Sequence, residues 1–258
     1  MKQDVLSELC RMTTRLGRPE HDYVILGEGN TSAIADDGTF WVTTSGSELV
    51  SATPDSFVRV DHARALSLLD GPALTDEQTR EGLIRATVDG RSEPRPSVET
   101  TVHAVFLSIP GVKFVGHTHP TAINMLTCSK RFAESIAGRV FPDEVVLCGP
   151  ETLPIPYVDP GIPLAREIRS RLADFRTRTG SAPKVVMLQN HGMVALGSSA
   201  QEVENITAMA VKAARITVGT AAFGGPSFMP DADVCRIRDR LDEHYRQRVI
   251  EQKAGRSS

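Results

Sequence analysis

Apolar and polar positions follow two different periods in the first part of the chain. Residues 5–16 carry apolar side chains three or four positions apart, which predicts an amphipathic helix that the Gly-Arg-Pro run at 17–19 should end. Residues 31–45 show strand-like runs around Asp37-Gly38, a dipeptide that favours a tight turn with positive φ. The pattern therefore predicts one helix followed by a β-hairpin.

The next part of the chain predicts helices. Helical spacing covers residues 62–69 and 76–88, and Thr75 with Gln78 three residues later forms a capping-box signature before the second helix. The pattern is helical again from 97 to 108. These segments predict helices that pack on the sheet to which the hairpin contributes.

Two further strands end in histidines. The segment VKFVGHTH, residues 112–119, predicts a strand, and KVVMLQNHG, residues 184–192, predicts another. Between them, helix, turn and strand alternate at 120–128, 131–138 and 143–148. Both strands therefore bring histidines to their ends.

The proline-rich segment 149–163 is interpreted as a surface excursion, because neither an internal repeat nor a linker divides the chain. Further helices are predicted at 164–178, 199–220 and 231–250. Residues 1–258 are therefore expected to form one α/β domain with a frayed polar tail at about 251–258.

Composition narrows the class of protein. With 29 basic and 32 acidic residues, the net charge of −3 is that of an ordinary soluble protein and gives no reason to expect a nucleic-acid partner. The four cysteines show no CxxC spacing, which favours reduced thiols. The sequence lacks a signal-peptide pattern and an apolar run long enough to span a membrane, so we expect a cytoplasmic protein without a membrane partner.

His117 and His119 form the first candidate for chemistry. Side chains two apart on a strand point to the same face, so both imidazoles can reach one divalent metal ion. His191 is the best third ligand, because it also ends a predicted strand and precedes a glycine. Each histidine alone has a simpler explanation as a hydrogen-bonded structural residue, and only the combination favours a site.

Glu99 is the candidate carboxylate. It lies in the first turn of the helix predicted from Ser97, one turn before His103, so the two should share a helix face. Favourable interaction with the helix dipole is the alternative explanation for Glu99, and packing or the positioning of a ligand are the alternatives for His103. A catalytic Glu99 would need a pKa raised towards neutrality.

Two small, hydroxyl-rich turns lie at neighbouring strand ends. GEGNTS contains Gly29 and Asn30, and TTSGSE contains Ser45 and Gly46. Neither turn matches a nucleotide-binding loop, and each alone is typical of an ordinary turn. Together they could bind a phosphate or carboxylate through backbone N–H groups and hydroxyls.

The order of these motifs is what identifies a family. "GN.S", "SG", "PS.E...H", "H.HP" and "NHG....G", spread over about residues 5–220, together resemble the class II aldolase/adducin family. The resemblance implies a single three-layer α/β/α domain with a largely antiparallel central sheet. It also implies a homotetramer with active sites at subunit interfaces.

The resemblance also implies roles for individual residues. His117, His119 and His191 match the family's metal-binding histidines, which normally hold Zn²⁺, with Mn²⁺ or Co²⁺ as alternatives. Glu99 matches the residue that moves the proton next to the substrate carbonyl. The positions around the phosphate are matched by Gly29, Asn30, Ser45, Gly46 and Ser97.

The expected reaction is retro-aldol cleavage of a ketose phosphate, or of a related sugar or acid, through a metal-stabilised enediolate. Epimerisation of a sugar phosphate, decarboxylation of a 3-oxo acid and a non-enzymatic adducin-like binding role are the alternatives. Val98 stands where fuculose-type relatives usually have a phosphate-binding serine. A second acid/base residue has no motif, which leaves Tyr157 and Tyr245 as candidates by elimination.

Overall fold

The computed structural model describes residues 4–35, 37–90 and 93–240. Its α-helices are α1 (Val5–Leu16), α2 (His62–Ser67), α3 (Asp76–Ala86), α4 (Thr100–Leu107), α5 (Thr121–Thr127), α6 (Phe132–Ser135), α7 (Pro142–Cys148), α8 (Ile162–Thr179), α9 (Ala200–Gly219) and α10 (Asp231–Arg238). Its strands are β1 (Asn30–Ile34), β2 (Thr39–Thr43), β3 (Phe57–Asp61), β4 (Phe114–Thr118), β5 (Leu153–Ile155), β6 (Val185–Leu188) and β7 (Gly192–Gly197).

The strands form one sheet in the order β3-β2-β1-β4-β7-β6-β5. Neighbouring strands are antiparallel except β5 and β6, which are parallel. The predicted hairpin is confirmed: β1 pairs with β2, and Gly38 has the positive φ that the turn residue was expected to need, +79°. This order places β4, with its histidines, in the middle of the sheet.

Successive residues of the central strands enter different hydrophobic clusters. Val115 and Val194 pack with apolar residues of α2, α4 and α8, while Phe114 and Met193 pack with those of α1, α5 and α9. Because side chains alternate across a strand, the two clusters lie on opposite faces of the sheet. The expected α/β/α layering with a largely antiparallel sheet is therefore confirmed.

Most predicted helices are present with slightly shorter bounds. The capping box before α3 forms as expected: Gln78 N donates to Thr75 Oγ1, and Thr75 N donates to Gln78 Oε1. The last predicted helix, 231–250, is described only as α10. Residues 239 and 240 are described and are not helical, while 241–250 and the predicted frayed tail lie outside the described residues.

The prediction of turn and strand after α5 was wrong. Residues 131–138 contain the short helix α6, and 143–148 belong to helix α7. Pro142 occupies the first turn of α7 and is followed by Asp143 and Glu144, a combination that starts a helix because proline presets φ and carboxylates favour the N-terminal dipole. The apolar run Val145–Cys148 misled the strand assignment.

The proline-rich segment is more than a surface excursion. Its residues Leu153–Ile155 form β5 at the edge of the sheet, with Leu153 and Ile155 buried and Pro154 exposed between them. Proline is tolerated there because an edge strand leaves one row of N–H positions unpaired. The predicted excursion therefore supplies the seventh strand.

Residues Ala200–Phe223 form a segment long and apolar enough to span a membrane, judged by length and composition. In this fold α9 packs against the sheet and α5, with Val203, Ile206 and Ala210 buried. These apolar side chains of α9 are therefore part of the hydrophobic core.

Candidate metal centre and active site

Three adjacent strands position the histidines. On β4, His117 pairs with Asn30 of β1 on one side and with Val194 of β7 on the other. His119 follows directly after the end of β4. His191 lies in the tight connection between β6 and β7, where Asn190 adopts a left-handed conformation with φ +54°. The sheet order thus brings two distant parts of the sequence to one point.

The three imidazoles converge on each other. His119 Nε2 lies 3.0 Å from His117 Nε2, and His191 Nε2 lies 3.3 Å from it. One ring nitrogen from each histidine falls within 4.8 Å of the others. Nitrogens that bind a tetrahedral zinc ion at about 2.0–2.1 Å lie about 3.3 Å apart, so these spacings fit a metal ion.

The hydrogen bond at the other side of His117 defines its tautomer. His117 Nδ1 lies 2.9 Å from the carbonyl oxygen of Met193, which can only accept, so Nδ1 carries the proton. His117 Nε2 therefore presents a lone pair to the other two rings. A buried cluster of such lone pairs is satisfied by a cation, and backbone orientation of a ligating histidine is typical of metal sites.

Gly192 allows the close contact between the two histidine-bearing strands. A Cβ atom at this position would lie 2.6 Å from the carbonyl oxygen of Thr118 and 2.7 Å from Cδ2 of His119. Both distances are shorter than a real carbon can adopt, so a larger residue must displace His119.

We expect Gly192→Ala to lower affinity for zinc by about 10–100-fold, because displacing a ligand is comparable to losing its supporting contacts. Isothermal titration with zinc measures the effect. Gly219→Ala is the matched control, because a Cβ at Gly219 meets nothing within 4 Å. Equal zinc affinity in both variants would contradict this account of Gly192.

Glu99 faces the histidine cluster from the helix layer. The sequence predicted Glu99 in the first turn of a helix from Ser97, but α4 starts at Thr100, so Glu99 is its N-cap residue and is 4% exposed. Its Oε2 lies 3.2 Å from His117 Nε2 and its Oε1 3.6 Å from His191 Nε2. Among the described residues, Oε1 is a buried atom with no hydrogen-bond partner. One carboxylate oxygen is thus left open beside the histidines.

The environment sets the protonation states. Burial alone raises the pKa of Glu99, but its electrostatic interactions with His117 and His191 and a hydrogen bond from Asn30 outweigh it and lower the pKa to about 2. The expected rise towards neutrality is therefore absent, and Glu99 is ionised at neutral pH. Burial lowers the pKa of His119 to about 3 and of His191 to about 4, so both are neutral and able to bind a metal.

A cavity of about 460 Å³ lies in front of these groups, with Glu99, His119 and His191 in its wall. The other wall residues include all five residues matched to the phosphate pocket: Gly29, Asn30, Ser45, Gly46 and Ser97. The candidate site residues from five separate sequence segments therefore meet in one place. His117 lies behind the wall and is 2% exposed.

Two of these wall residues need to be glycine for different reasons. Gly29 has φ +74°, and a Cβ there would lie 2.7 Å from the carbonyl oxygen of His117. Gly46 has φ +82° but faces open space.

Val98 is 57% exposed in the same wall, where its methyl groups cannot form hydrogen bonds. The Tyr157 hydroxyl donates to Asp159 at 3.2 Å instead of facing the cavity.

The sequence did not identify all residues at this site. Glu28 lies in the cavity wall, with Oε1 3.8 Å from His119 Nδ1. Ile25 and Leu26 are 62% and 80% exposed at the same wall. The available sequence signal is that Glu28 lies within the GEGNTS turn and that Ile25 and Leu26 directly precede it. Tyr245, the other candidate acid/base residue, lies outside the described residues.

His103 is fully buried, and burial lowers its pKa to about 3. The unfolded chain takes up a proton near pH 6.5, so the stability from a neutral His103 is present above that pH and is lost as the pH falls towards 3.

We therefore expect the free energy of unfolding of the metal-free protein to decrease on acidification below pH 6.5, with His119 and His191 acting in the same direction. Replacing His103 with Gln should make the slope shallower by about 1.4 kcal/mol per pH unit, the contribution of one proton. Urea unfolding at pH 6 and 5 measures both slopes. Equal slopes in the two proteins would contradict a buried neutral His103.

Sequence comparison places this arrangement among known proteins. A family model described as Class II Aldolase and Adducin N-terminal domain matches residues 7–218. The Uncharacterized oxidoreductase YuxG of Bacillus subtilis is 29% identical over 222 residues, which cover 79% of this chain and 29% of that protein. This chain therefore spans less than a third of the length of YuxG.

Two shorter relatives carry names of specific activities. The 3-oxo-tetronate 4-phosphate decarboxylase of Haemophilus influenzae is 28% identical over 191 residues, covering 72% of this chain and 76% of that protein. The Methylthioribulose-1-phosphate dehydratase of Microcystis aeruginosa is 28% identical over 188 residues, covering 69% and 78%. The named activities differ, although both names contain a phosphorylated sugar derivative.

The fold has a solved counterpart. The N-terminal Class II Aldolase domain of a conserved protein from Thermoplasma acidophilum superposes with a TM-score of 0.68 at 26% identity, over 84% of this chain and 95% of that one. The sheet order and layering described above are therefore those of an aldolase-type domain.

Proposed function

Since the chain belongs to the Class II Aldolase and Adducin N-terminal domain family, we propose that it is a metal-dependent lyase that cleaves a carbon–carbon bond in a ketose phosphate or a related sugar acid. One observation carries the proposal: three imidazoles converge on a buried carboxylate whose Oε1 has no hydrogen-bond partner among the described residues. A binding domain has no need of that costly arrangement.

A divalent cation, most favourably Zn²⁺ with Mn²⁺ or Co²⁺ as alternatives, would be held by His117, His119 and His191. Such an ion supplies a Lewis acid, which stabilises negative charge on a carbonyl oxygen when an adjacent bond breaks. The protein's contribution is to fix the three nitrogens, through the Met193 carbonyl at His117 and through the tight β6–β7 connection at His191.

Glu99 is proposed to move the proton at the carbon next to the substrate carbonyl. Its carboxylate is ionised, so it is in the form that accepts a proton. The unpaired Oε1 is the atom available for that step, because Oε2 already accepts a hydrogen bond of 2.7 Å from Asn30. Because Glu99 is buried, little water reaches its carboxylate to compete with the substrate for the proton.

The anionic end of the substrate is proposed to bind at the GEGNTS and TTSGSE turns and at Ser97. Ser45 and Ser97 supply hydroxyls, and Gly46 exposes backbone because no side chain covers it. Val98 supplies no hydrogen bond at a point where fuculose-type relatives have a serine. A phosphate would therefore be bound with one contact fewer, and a carboxylate is the alternative occupant.

Decarboxylation of a phosphorylated 3-oxo acid is the second candidate function. The similarity to the 3-oxo-tetronate 4-phosphate decarboxylase of Haemophilus influenzae supports it. Decarboxylation and retro-aldol cleavage both leave negative charge next to a carbonyl, so the same metal site and proton donor serve both. Epimerisation by cleavage and re-addition uses the same groups again.

Product analysis distinguishes these reactions. Zinc-loaded protein is incubated with a panel of ketose phosphates, their unphosphorylated forms and 3-oxo acid phosphates, and the products are identified by NMR. Aldehyde release supports the aldolase, carbon dioxide release the decarboxylase, and a new sugar isomer the epimerase. Failure to bind metal and to convert any substrate would favour the adducin-like binding role.

We further propose a homotetramer in which a neighbouring subunit borders each cavity. The exposed side chains of Ile25 and Leu26 at the cavity mouth support this assembly, because an apolar rim is stabilised when a partner covers it. A second acid/base group, which is not identified among the described residues, would then come from that neighbour or from the C-terminal segment. Light scattering of the purified protein tests the assembly.

A further inference from the structure

A chain of buried polar groups leads from the sheet to Glu99. Ser32 Oγ lies 2.7 Å from His103 Nδ1, and His103 Nε2 forms a hydrogen bond with Asn30 Oδ1. Asn30 Nδ2 then donates to Glu99 Oε2 at 2.7 Å. These four residues are each less than one-tenth exposed. Asn30 and Ser32 lie on one face of β1, and Glu99 and His103 lie at the start of α4. Each element therefore contributes two of the four residues.

The chemistry of each group allows only one direction for these bonds. Ionised Glu99 can only accept, so the Asn30 amide nitrogen must face it and the Asn30 oxygen must face His103. That oxygen accepts from His103 Nε2, which therefore carries the ring proton. His103 Nδ1 is then an acceptor and receives the Ser32 hydroxyl proton.

Each hydrogen bond in this chain fixes the orientation of the group that follows it. Without the N–H of His103, the Asn30 amide can rotate by half a turn, because its oxygen and nitrogen have nearly the same shape. A rotated Asn30 would point oxygen at the Glu99 carboxylate and repel it. The pKa of His103 is lowered to about 3 by burial, so the ring stays neutral and its single proton stays on Nε2 at neutral pH.

The two Glu99 oxygens are thereby made different. Oε2 is held by Asn30, while Oε1 has no hydrogen-bond partner among the described residues. Resting on the proposed function, we propose that Ser32, His103 and Asn30 are positioning residues that fix Oε2 and present Oε1 as the atom that exchanges a proton with the substrate. Asn30 then acts through Glu99, because both polar atoms of its amide are already bonded.

The experiment measures exchange of the hydroxymethyl protons of dihydroxyacetone phosphate with D₂O by ¹H NMR, using zinc-loaded protein. Replacing His103 with Phe should lower the maximal exchange rate about 10–100-fold, the usual effect of removing a supporting partner. Half-saturation by the probe and zinc content should stay unchanged. His103→Gln retains an N–H donor and should recover most of the rate, as should Ser32→Thr compared with Ser32→Ala.

A double substitution separates positioning from general structural damage. If His103 acts through Glu99, His103→Phe should have no further effect on the residual rate in the Glu99→Gln background. The same fractional loss in both backgrounds would overturn the proposal. Loss of zinc in place of rate would overturn it too.

Failure of the proposed function is recognised separately. If wild-type protein exchanges no proton of the probe, the reaction proposed above fails, and the tautomer of His103 then decides this inference. Long-range ¹H–¹⁵N NMR should show a neutral ring protonated at Nε2 between pH 6 and 8. A ring protonated at Nδ1 would reverse the bond to Asn30 and overturn the positioning role.

Discussion

Replacing Glu99 with Gln is expected to lower the rate of proton transfer at the substrate carbon next to the carbonyl by about 10²–10⁴-fold, the usual contribution of a general base. Gln keeps the shape of Glu99 but cannot accept the proton at Oε1. Zinc should remain bound, because the three histidines are untouched. Solvent-proton exchange by NMR and zinc content, measured on the same samples, check both parts.

Glu28→Gln is the matched control for this substitution. Glu28 is also a carboxylate in the cavity wall, but its Oε1 is 3.8 Å from His119 Nδ1 and its side chain is 37% exposed. A solvated carboxylate at that distance should contribute little to proton transfer. If both variants lost the same fraction of the exchange rate, the negative charge of the cavity as a whole would control the rate, and Glu99 would not be its specific base.

Removal of the metal should have the other large effect. Chelation is expected to abolish turnover, and added zinc, manganese or cobalt to restore it, because none of the described side chains in the cavity wall can replace a Lewis acid. His117→Ala should remain inactive when zinc is added, since His117 is 2% exposed and nitrogens from both other histidines face it. Full turnover by the chelated protein would remove the metal from the mechanism.

His62→Gln controls for the general effect of losing a histidine. His62 Nε2 contacts the carbonyl oxygen of Ala104 at 2.8 Å and is not in the cavity wall. A Gln side chain can form a similar bond, so zinc content and turnover should be unchanged. An equal loss of turnover in His62→Gln and His117→Ala would point to unfolding as the common cause.

The sequence was sufficient where local chemistry controls the structure. The hairpin at Asp37-Gly38 and the capping box at Thr75 and Gln78 depend on residues a few positions apart, and both formed as expected. The histidine triad was also predicted, because strand alternation places His117 and His119 on one side and a turn glycine follows His191.

Assignment from the apolar pattern failed where a short run is compatible with both a strand and a helix. The run Val145–Cys148 is compatible with a strand or a buried helix, and Pro142 with its following carboxylates selected the helix. The strand β5 is only three residues long, and its partners in β6 lie 33 positions later in the sequence. Short apolar runs of this kind carry too little periodicity to be assigned alone.

The protonation of the site was beyond the sequence for the same reason. Glu99 was expected to have a raised pKa, since burial alone has that effect, but the histidines and Asn30 that surround it reverse the direction. Likewise, His103 and Asn30 were recognised one at a time, whereas their shared bond depends on the packing of β1 against α4. Long-range contacts, which no motif records, decided both.

The most direct test of this account is the zinc content of the purified protein after equilibration with zinc at neutral pH. The arrangement of His117, His119 and His191 predicts one zinc ion per chain in wild-type protein and in Glu99→Gln, and loss of that ion in His117→Ala. A wild-type chain without bound zinc, or a His117→Ala variant that binds as much as wild type, would contradict the central claim.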